Sequence, residues 1–505
     1  MLRKRPAALW MIGFTVLLAV MGLRNAPLFF KPVRSLAHGE ISFSEFTETV
    51  QENYTNSLHE KYSFVNFSGW LARRLDQSVC NEVFLLKNGM LGRISKLPED
   101  PTGNAESMAE FSRFLEVRGI PFLFIQAPTK MDLNCELLPE GFYNFYNAYA
   151  GELIALLEEK DVRVLDLRAT IAGTPVLVEQ NYFRTDHHWT YTGALYALQY
   201  ILPELESALP DAELDFSRAA FSEWEEHILK DRYMGSQGRR VGIYFAGVDD
   251  FVYYTPKRMD MARISRAIPS RGEFAKGDFT DAILLERLFD NRDYFVSSIY
   301  YLYVGGDYPL IQLRNPDAPN DLKVLFIKNS FAAPILGYAS VLFQEVDIID
   351  PRCYTGSIAQ YVLFFQPDIV IQLMNPQMDE ICYAYGLETI SADVQNFVFE
   401  METVHAGGVP IKLKPGQAYV LTFEDVELDG SAAMVVLYDD GGQLVDSAIF
   451  DIEYCRENGG FSALLNVPDG AGREFELHFY SGASIIADDG SATYRSVQLE
   501  SFDPA

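Results

Sequence analysis

The sequence predicts a mixed α/β protein: a doubly wound, mostly parallel sheet with an inserted lid region, followed by a C-terminal β-sandwich of the jelly-roll kind. Three observations predict it. Short apolar runs alternate with helix-period segments between about residues 81 and 390, the rhythm of strand, crossover helix and parallel strand. From about Phe397 the texture changes to period-two runs separated by turn dipeptides, as in antiparallel sandwiches. Between the two halves of the α/β part, residues 205–320 follow neither period, and long irregular stretches of this sort are commonly lids or binding loops.

In chain order, Arg3, Lys4 and Arg5 precede an apolar stretch from Ala7 to Leu23. Its length is about the ~17–25 residues that a helix needs to cross a bilayer. Cations before the stretch and none within it predict a cytoplasmic start and an exported remainder. Residues 1–24 are therefore expected to be a membrane anchor, with a cleaved signal as the competing reading. The protein would then be single-pass in the cell membrane, its bulk extracellular or periplasmic. Residues 25–80 read as a stem and domain entry.

Within 81–390, a helical pattern over 105–117 leads into the apolar run 121–126, and a second over 144–160 leads into 162–167. Both runs read as buried strands. A third helical pattern covers 191–202. The rhythm resumes after the insertion with a strand at 324–327, a helix from about 332 to 343, a strand at 346–350, another helix, and a strand at 368–374. Residues 395–505 hold alternating runs such as 418–423 and 474–480, with turns at Asp429-Gly430, Gly441-Gly442 and Asp489-Gly490. Such a module could bind carbohydrate or serve as a plain structural domain.

Composition narrows the function. A net charge of -29 over 505 residues argues against nucleic acid as a partner, because phosphates would be repelled. The five cysteines, Cys80, Cys135, Cys353, Cys382 and Cys455, show no Cys-x-x-Cys spacing and no nearby histidine cluster, so no zinc site is expected. Disulfides and buried thiols both remain open. Nucleophile-elbow, zincin and phosphate-loop patterns are absent from the sequence, and neither cofactor nor metal is expected.

The chemistry concentrates in Thr185-Asp186-His187-His188-Trp189. In an extended segment, side chains at i and i+2 project to one side, so Asp186 could orient His188 while His187 points the other way. Trp189 reads as structural. The matching nucleophile is Ser330, which follows the strand at 324–327 and opens a helix, at the carboxyl edge where ligands bind in open sheets. Amides of that first turn, including those of Ser330 and Phe331, would form an oxyanion hole. A serine needs a positioned base to become nucleophilic, and histidine is the usual one. A plainer reading stands beside this: Asp186 and Ser330 cap helices, and the histidines merely pack.

These residues carry a resemblance. The Asp186-His187-His188-Trp189 run, Thr192-Gly193-Ala194, Lys328-Asn329-Ser330-Phe331-Ala332 and Ile349-Asp350-Pro351-Arg352 together resemble the DHHW family of exported bacterial proteins. That family is similar to the SGNH-hydrolase-like domains of alginate O-acetyltransferases. Ala127-Pro128-Thr129-Lys130 and Tyr233-Met234-Gly235-Ser236 sit where such proteins carry similar motifs, and the likeness spans roughly residues 45–380. It implies an SGNH-like sheet with Ser330 as nucleophile, His188 as base and Asp186 as its orienting partner. Asn329, Phe331 and Arg352 would be oxyanion or substrate support. Asn329 departs from the family's usual Lys-Asp-Ser. The function implied is O-acyl transfer, chiefly of acetyl, to polysaccharide hydroxyls, with the donor supplied by a membrane acyltransferase. An esterase of the same fold and a catalytically silent glycan-binding or scaffold protein are the alternatives.

Overall fold

The computed structural model describes residues 5–482 except 95–99, 132–135, 169–177, 258–260, 298, 376–383, 388–394, 401–408, 425–429, 459, 469 and 472–473. Two units pack internally: residues 1–83 with 238–247, and residues 84–237 with 248–505.

The first unit is helical. Its opening helix corrects the expected membrane anchor: among the described residues no helix is long and apolar enough to cross a membrane. The physical reason lies in where the helix goes. It runs Arg5–Ala37, well past Leu23, and carries Pro27 and Pro32 together with Arg24, Asn25, Lys31 and Arg34. Asn53 Nδ2 donates to Leu28 O at 2.8 Å, and Asn25 Oδ1 accepts from His59 N at 2.7 Å. The apolar run is thus one end of a longer helix whose other end is tied to its neighbours. The next helix, Phe43–Asn56, starts at a capping box in which Ser42 and Glu45 satisfy each other's amides.

The second unit contains an eight-stranded sheet. Its order is Val164–Asp166, Phe122–Gln126, Ile369–Met374, Asn320–Lys328, Phe343–Ile349, Leu310–Arg314, Ile264–Ile268 and Glu273–Gly277. The first five strands are mutually parallel, and the last three add antiparallel. Parallel strands covered on both faces lose the polar alternation of one-sided sheets. Accordingly Phe122–Gln126 and Ile369–Met374 are buried at every position. Helices Thr102–Glu116, Phe145–Glu158 and Ile358–Phe365 bury Met108, Phe111, Leu153 and Val362 against Phe124, Leu325 and Val370 on one face. Residues 205–320 supply the three antiparallel strands and a hairpin of Trp224–Tyr233 with Asp249–Pro256.

Strands from Gln395 to Gly482 form a three-stranded and a four-stranded sheet. Tyr419, Leu421 and Leu465 of one meet Val435, Leu437 and Leu477 of the other in a shared core. Hairpin turning at Asp439–Gly442 uses Gly442, whose φ of +74° suits glycine. Among the described cysteines, Cys80, Cys353 and Cys455 are free; Cys135 and Cys382 lie outside the described residues.

Candidate active site

The strand Asn320–Lys328 lies between the strands that follow it, Phe343–Ile349 on one side and Ile369–Met374 on the other. Connections that depart to opposite sides open a crevice at the carboxyl end of that strand. Ser330 stands there, at the start of a single 3-10 turn, Ser330–Ala332. Its hydroxyl is not the cap. Asn329 is, with Oδ1 accepting from Phe331 N at 3.1 Å. Asp186 is no cap either, because Thr190 caps the helix Tyr191–Ala208 by accepting from Gly193 N at 3.1 Å. Both capping readings of the sequence therefore fall.

Ser330 Oγ lies 2.8 Å from His188 Nε2, and His188 Nδ1 lies 3.0 Å from Asp186 Oδ1. The bend that presents Asp186 and His188 is fixed from outside. Lys130, buried, donates from Nζ to Phe183 O at 3.1 Å, to Arg184 O at 3.0 Å and to Asp186 O. Burial drives the Lys130 pKa down to about 7, against the pull of Asp186 and Asp249. Thr185 donates to Asp249 Oδ2 from N at 2.9 Å and from Oγ1 at 2.5 Å, while Gly235 N donates to Thr185 Oγ1 at 2.8 Å.

This segment is bent rather than extended, and the expected opposite projection of His187 is corrected for that reason. His187 Nδ1 sits 2.8 Å from Asp186 Oδ1 and 2.9 Å from Ser236 Oγ, and its ring centroid is 3.8 Å from that of His188. Asp186 accepts further hydrogen bonds from His187 N at 2.6 Å, Ser236 Oγ at 3.0 Å, Ser236 N at 3.1 Å and the Tyr233 hydroxyl. Burial opposes its charge, but His188, His187 and these donors hold the carboxyl well below the usual range. Gly235 permits the approach: a Cβ there would meet Asp186 Cβ at 2.2 Å.

His188 is buried, and burial together with the neighbouring His187 lowers its pKa to about 4 despite Asp186. A neutral ring with its proton on Nδ1, facing the carboxylate, leaves Nε2 to accept from Ser330. The ring stacks on Tyr300 with centroids 4.0 Å apart, and the Tyr300 hydroxyl donates to Ser330 O at 3.1 Å. Trp189, structural as expected, joins the two halves through Nε1 donating to Phe331 O at 2.8 Å.

The remaining sequence-predicted residues divide. Asn329 Nδ2 is buried without a hydrogen-bond partner, a donor left available beside the nucleophile. Phe331 is corrected: its amide is consumed by Asn329 Oδ1, and the turn leads into a helix of seven residues, Ala333–Ala339, with little macrodipole to offer. Arg352 forks onto Asp350 at 2.8 and 2.5 Å and reaches Asp307 at 3.0 Å. Lys328 joins the same carboxylates at 2.6 and 3.0 Å. Arg352 thus supports the strand ends behind Ser330 through an ion network.

Sequence reasoning did not single out Tyr233, Ser236 or Lys130, although all three stand in the flanking motifs noted above. Tyr300 had no signal beyond an aromatic-rich run. Asp186, His187 and His188 also offer atoms within 4.8 Å of one another to a metal ion. A cation there would have to displace donors from a carboxylate that already accepts from six groups.

Residues 95–234 match a family model described as the SGNH hydrolase-like domain of acetyltransferase AlgX, and residues 176–349 match one described as DHHW protein. No curated protein matches the chain. Among solved structures, PatB1 of Bacillus cereus is similar at 20% identity and TM-score 0.50, over 60% of this chain and 98% of PatB1. A DHHW family protein of Eubacterium siraeum is similar at 20% identity and TM-score 0.47, over 61% and 96% of the two chains. Pseudomonas aeruginosa AlgX follows at 12% identity and TM-score 0.37, over 79% and 94%. At such identities the PatB1 likeness speaks to the fold alone. Over residues 176–349 this chain is thus similar to the DHHW proteins, and over 95–234 to an SGNH-hydrolase-like domain whose parallel-rich α/β fold it shares.

Proposed function

We propose that this protein is a serine-dependent O-acyltransferase that moves acetyl groups onto polysaccharide hydroxyls. The observation that carries the reading is the line of contacts from Ser330 Oγ through His188 to Asp186, at 2.8 and 3.0 Å. Neutral His188 takes the Ser330 proton as Oγ attacks the acyl carbonyl, and Asp186 stabilises the imidazolium that forms. Such a base contributes typically ~10²–10⁴ in rate. Asn329 Nδ2, unpaired and buried, is suited to receive the oxyanion together with the Ser330 amide, and one such donor is worth ~10²–10³. Imidazolium then protonates the leaving group. An acceptor hydroxyl gives its proton to His188, attacks the Ser330 ester, and leaves carrying the acetyl group. Matches to an acetyltransferase domain model support the reaction class.

The test is p-nitrophenyl acetate with and without an acetyl-free oligosaccharide. Native protein should release a burst of nitrophenolate, carry an acetyl mass on Ser330 and yield acetylated sugar. Ser330→Ala should do none of these. Hydrolysis alone, undiminished by the sugar, would favour an esterase; a folded native protein that never acquires the acetyl mass would overturn the reading.

A further inference from the structure

Two imidazoles share one carboxylate, and only one of them has been given a task. Ser236 Oγ donates to Asp186 Oδ1 at 3.0 Å, so its oxygen is free to accept from His187 Nδ1 at 2.9 Å. His187 Nδ1 is also 2.8 Å from Asp186 Oδ1. Both neighbours of Nδ1 thus call for a proton on that atom, and in the neutral ring Nε2 is left bare. Among the described residues Nε2 of His187 makes no hydrogen bond, and the side chain is 24% exposed against 7% for His188. His187 also lies beside the nucleophile turn, 5.8 Å from the Phe331 ring. In their neutral forms the two imidazoles carry the same tautomer, their ring centroids 3.8 Å apart and the rings tilted by 37°, one facing Ser330 and one with an open acceptor.

We propose that His187 Nε2 accepts a hydrogen bond from a second hydroxyl of the acceptor, so that the site selects a vicinal diol of a sugar over a lone alcohol or water. The inference rests on the acyl-transfer reading and says which hydroxyls it serves. The hydroxyl that reacts gives its proton to His188 Nε2 as its oxygen bonds to the acyl carbon. The bond from that carbon to Ser330 Oγ breaks, and Oγ recovers the proton from His188. The adjacent hydroxyl, one carbon away, remains intact and holds the ring against His187. Water offers no second hydroxyl and loses this contact, which biases the acyl-enzyme toward transfer.

The experiment pairs cis-1,2-cyclohexanediol with cyclohexanol as acceptors for p-nitrophenyl acetate, and compares native protein with His187→Phe, which keeps a ring but no nitrogen. Native protein should acetylate the diol about tenfold faster per mole than the monohydric alcohol, the scale of one hydrogen bond. His187→Phe should bring the two within twofold. Equal rates in the native protein, or a preference that survives His187→Phe, would overturn the proposal. A readout independent of chemistry accompanies it: in Ser330→Ala, the ¹⁵N resonance of His187 Nε2 should sit at the unprotonated position and move on adding the diol but not cyclohexanol. A protonated or unmoved Nε2 would also overturn it, even where acetyl-Ser330 forms in the native protein. Absence of acetyl-Ser330 instead marks failure of the underlying acyl-transfer reading.

Discussion

Replacing Gly235 by alanine isolates the positioning of Asp186 from everything else in the site. The added Cβ would stand 2.2 Å from Asp186 Cβ, 2.3 Å from its Oδ2 and 2.5 Å from its Cγ, where ordinary contact begins at 3.4 Å. Backbone at Gly235 is outside the left-handed range, so the effect is steric. Asp186 must retreat by roughly 1 Å, and it cannot do so freely, since Tyr233, Ser236 and His187 donate to it. Overpacking of this kind costs ~1–3 kcal/mol, and a 1 Å misplacement at a reacting group costs on the order of 10²-fold in rate. Stopped-flow release of nitrophenolate should show the first turnover slowed about 100-fold, and calorimetry a lower Tm. Gly103→Ala is the control. A Cβ there meets nothing within 4 Å in the helix Thr102–Glu116, so stability should hold or rise slightly. Native acylation rate and native Tm in Gly235→Ala would refute the idea that this close approach fixes the carboxylate.

Four further outcomes follow from the same geometry. With His188 neutral down to about pH 4, kcat/KM for acylation should rise through pH 4 and be level near neutrality; a limb near 6.5 would show a solvated base. The unfolded chain binds a proton on this histidine below about 6.5 while the fold resists until about 4, so stability is full above 6.5 and falls as pH drops, by ~3 kcal/mol. Urea titrations should show His188→Gln losing that part of the pH dependence. Tyr233→Phe removes a hydroxyl donor from a buried carboxylate and should destabilise by ~1.5–3 kcal/mol, read from the urea midpoint; an unchanged midpoint would mean that Asp186 finds another donor. Asn329→Asp keeps an acceptor for Phe331 N but replaces the unpaired Nδ2 donor, and acylation should slow by ~10² at little cost in Tm; an unchanged rate would remove Asn329 from the oxyanion hole.

The sequence carried the central pairing because the elements that hold it are strongly periodic. An apolar run at 324–327, short and rich in branched and aromatic residues before a helical pattern, reads as a covered strand, and its neighbours in the sheet place the residue after it at the crevice. Asp186 and His188 were legible for a chemical reason, since a carboxylate beside an imidazole is an uncommon and useful neighbour. What could not be read were tertiary contacts that no local period encodes. His187 turned inward because Lys130, 53 residues before Phe183, clamps three carbonyls and bends a segment that looked extended. Tyr300 meets His188 from a stretch without periodicity. The N-terminal run misled for the opposite reason: its local composition was clear, but helix continuation through Arg24 and Asn25, with contacts to His59 and Asn53, lies outside any window over the run itself.

The bond between His188 and Ser330 spans 142 positions of sequence, and so does the one from Trp189 to Phe331. The pair proposed to react is therefore a seam between two chain segments far apart in sequence. Neither segment can hold its half in working order alone, and no partial fold that leaves the seam open retains chemistry. On the proposed reading, acylation of Ser330 would report that the two segments have come together. Agents that loosen the domain should extinguish labelling in step with global unfolding rather than ahead of it, and proteolytic fragments ending between residues 190 and 320 should be inert however well each half folds.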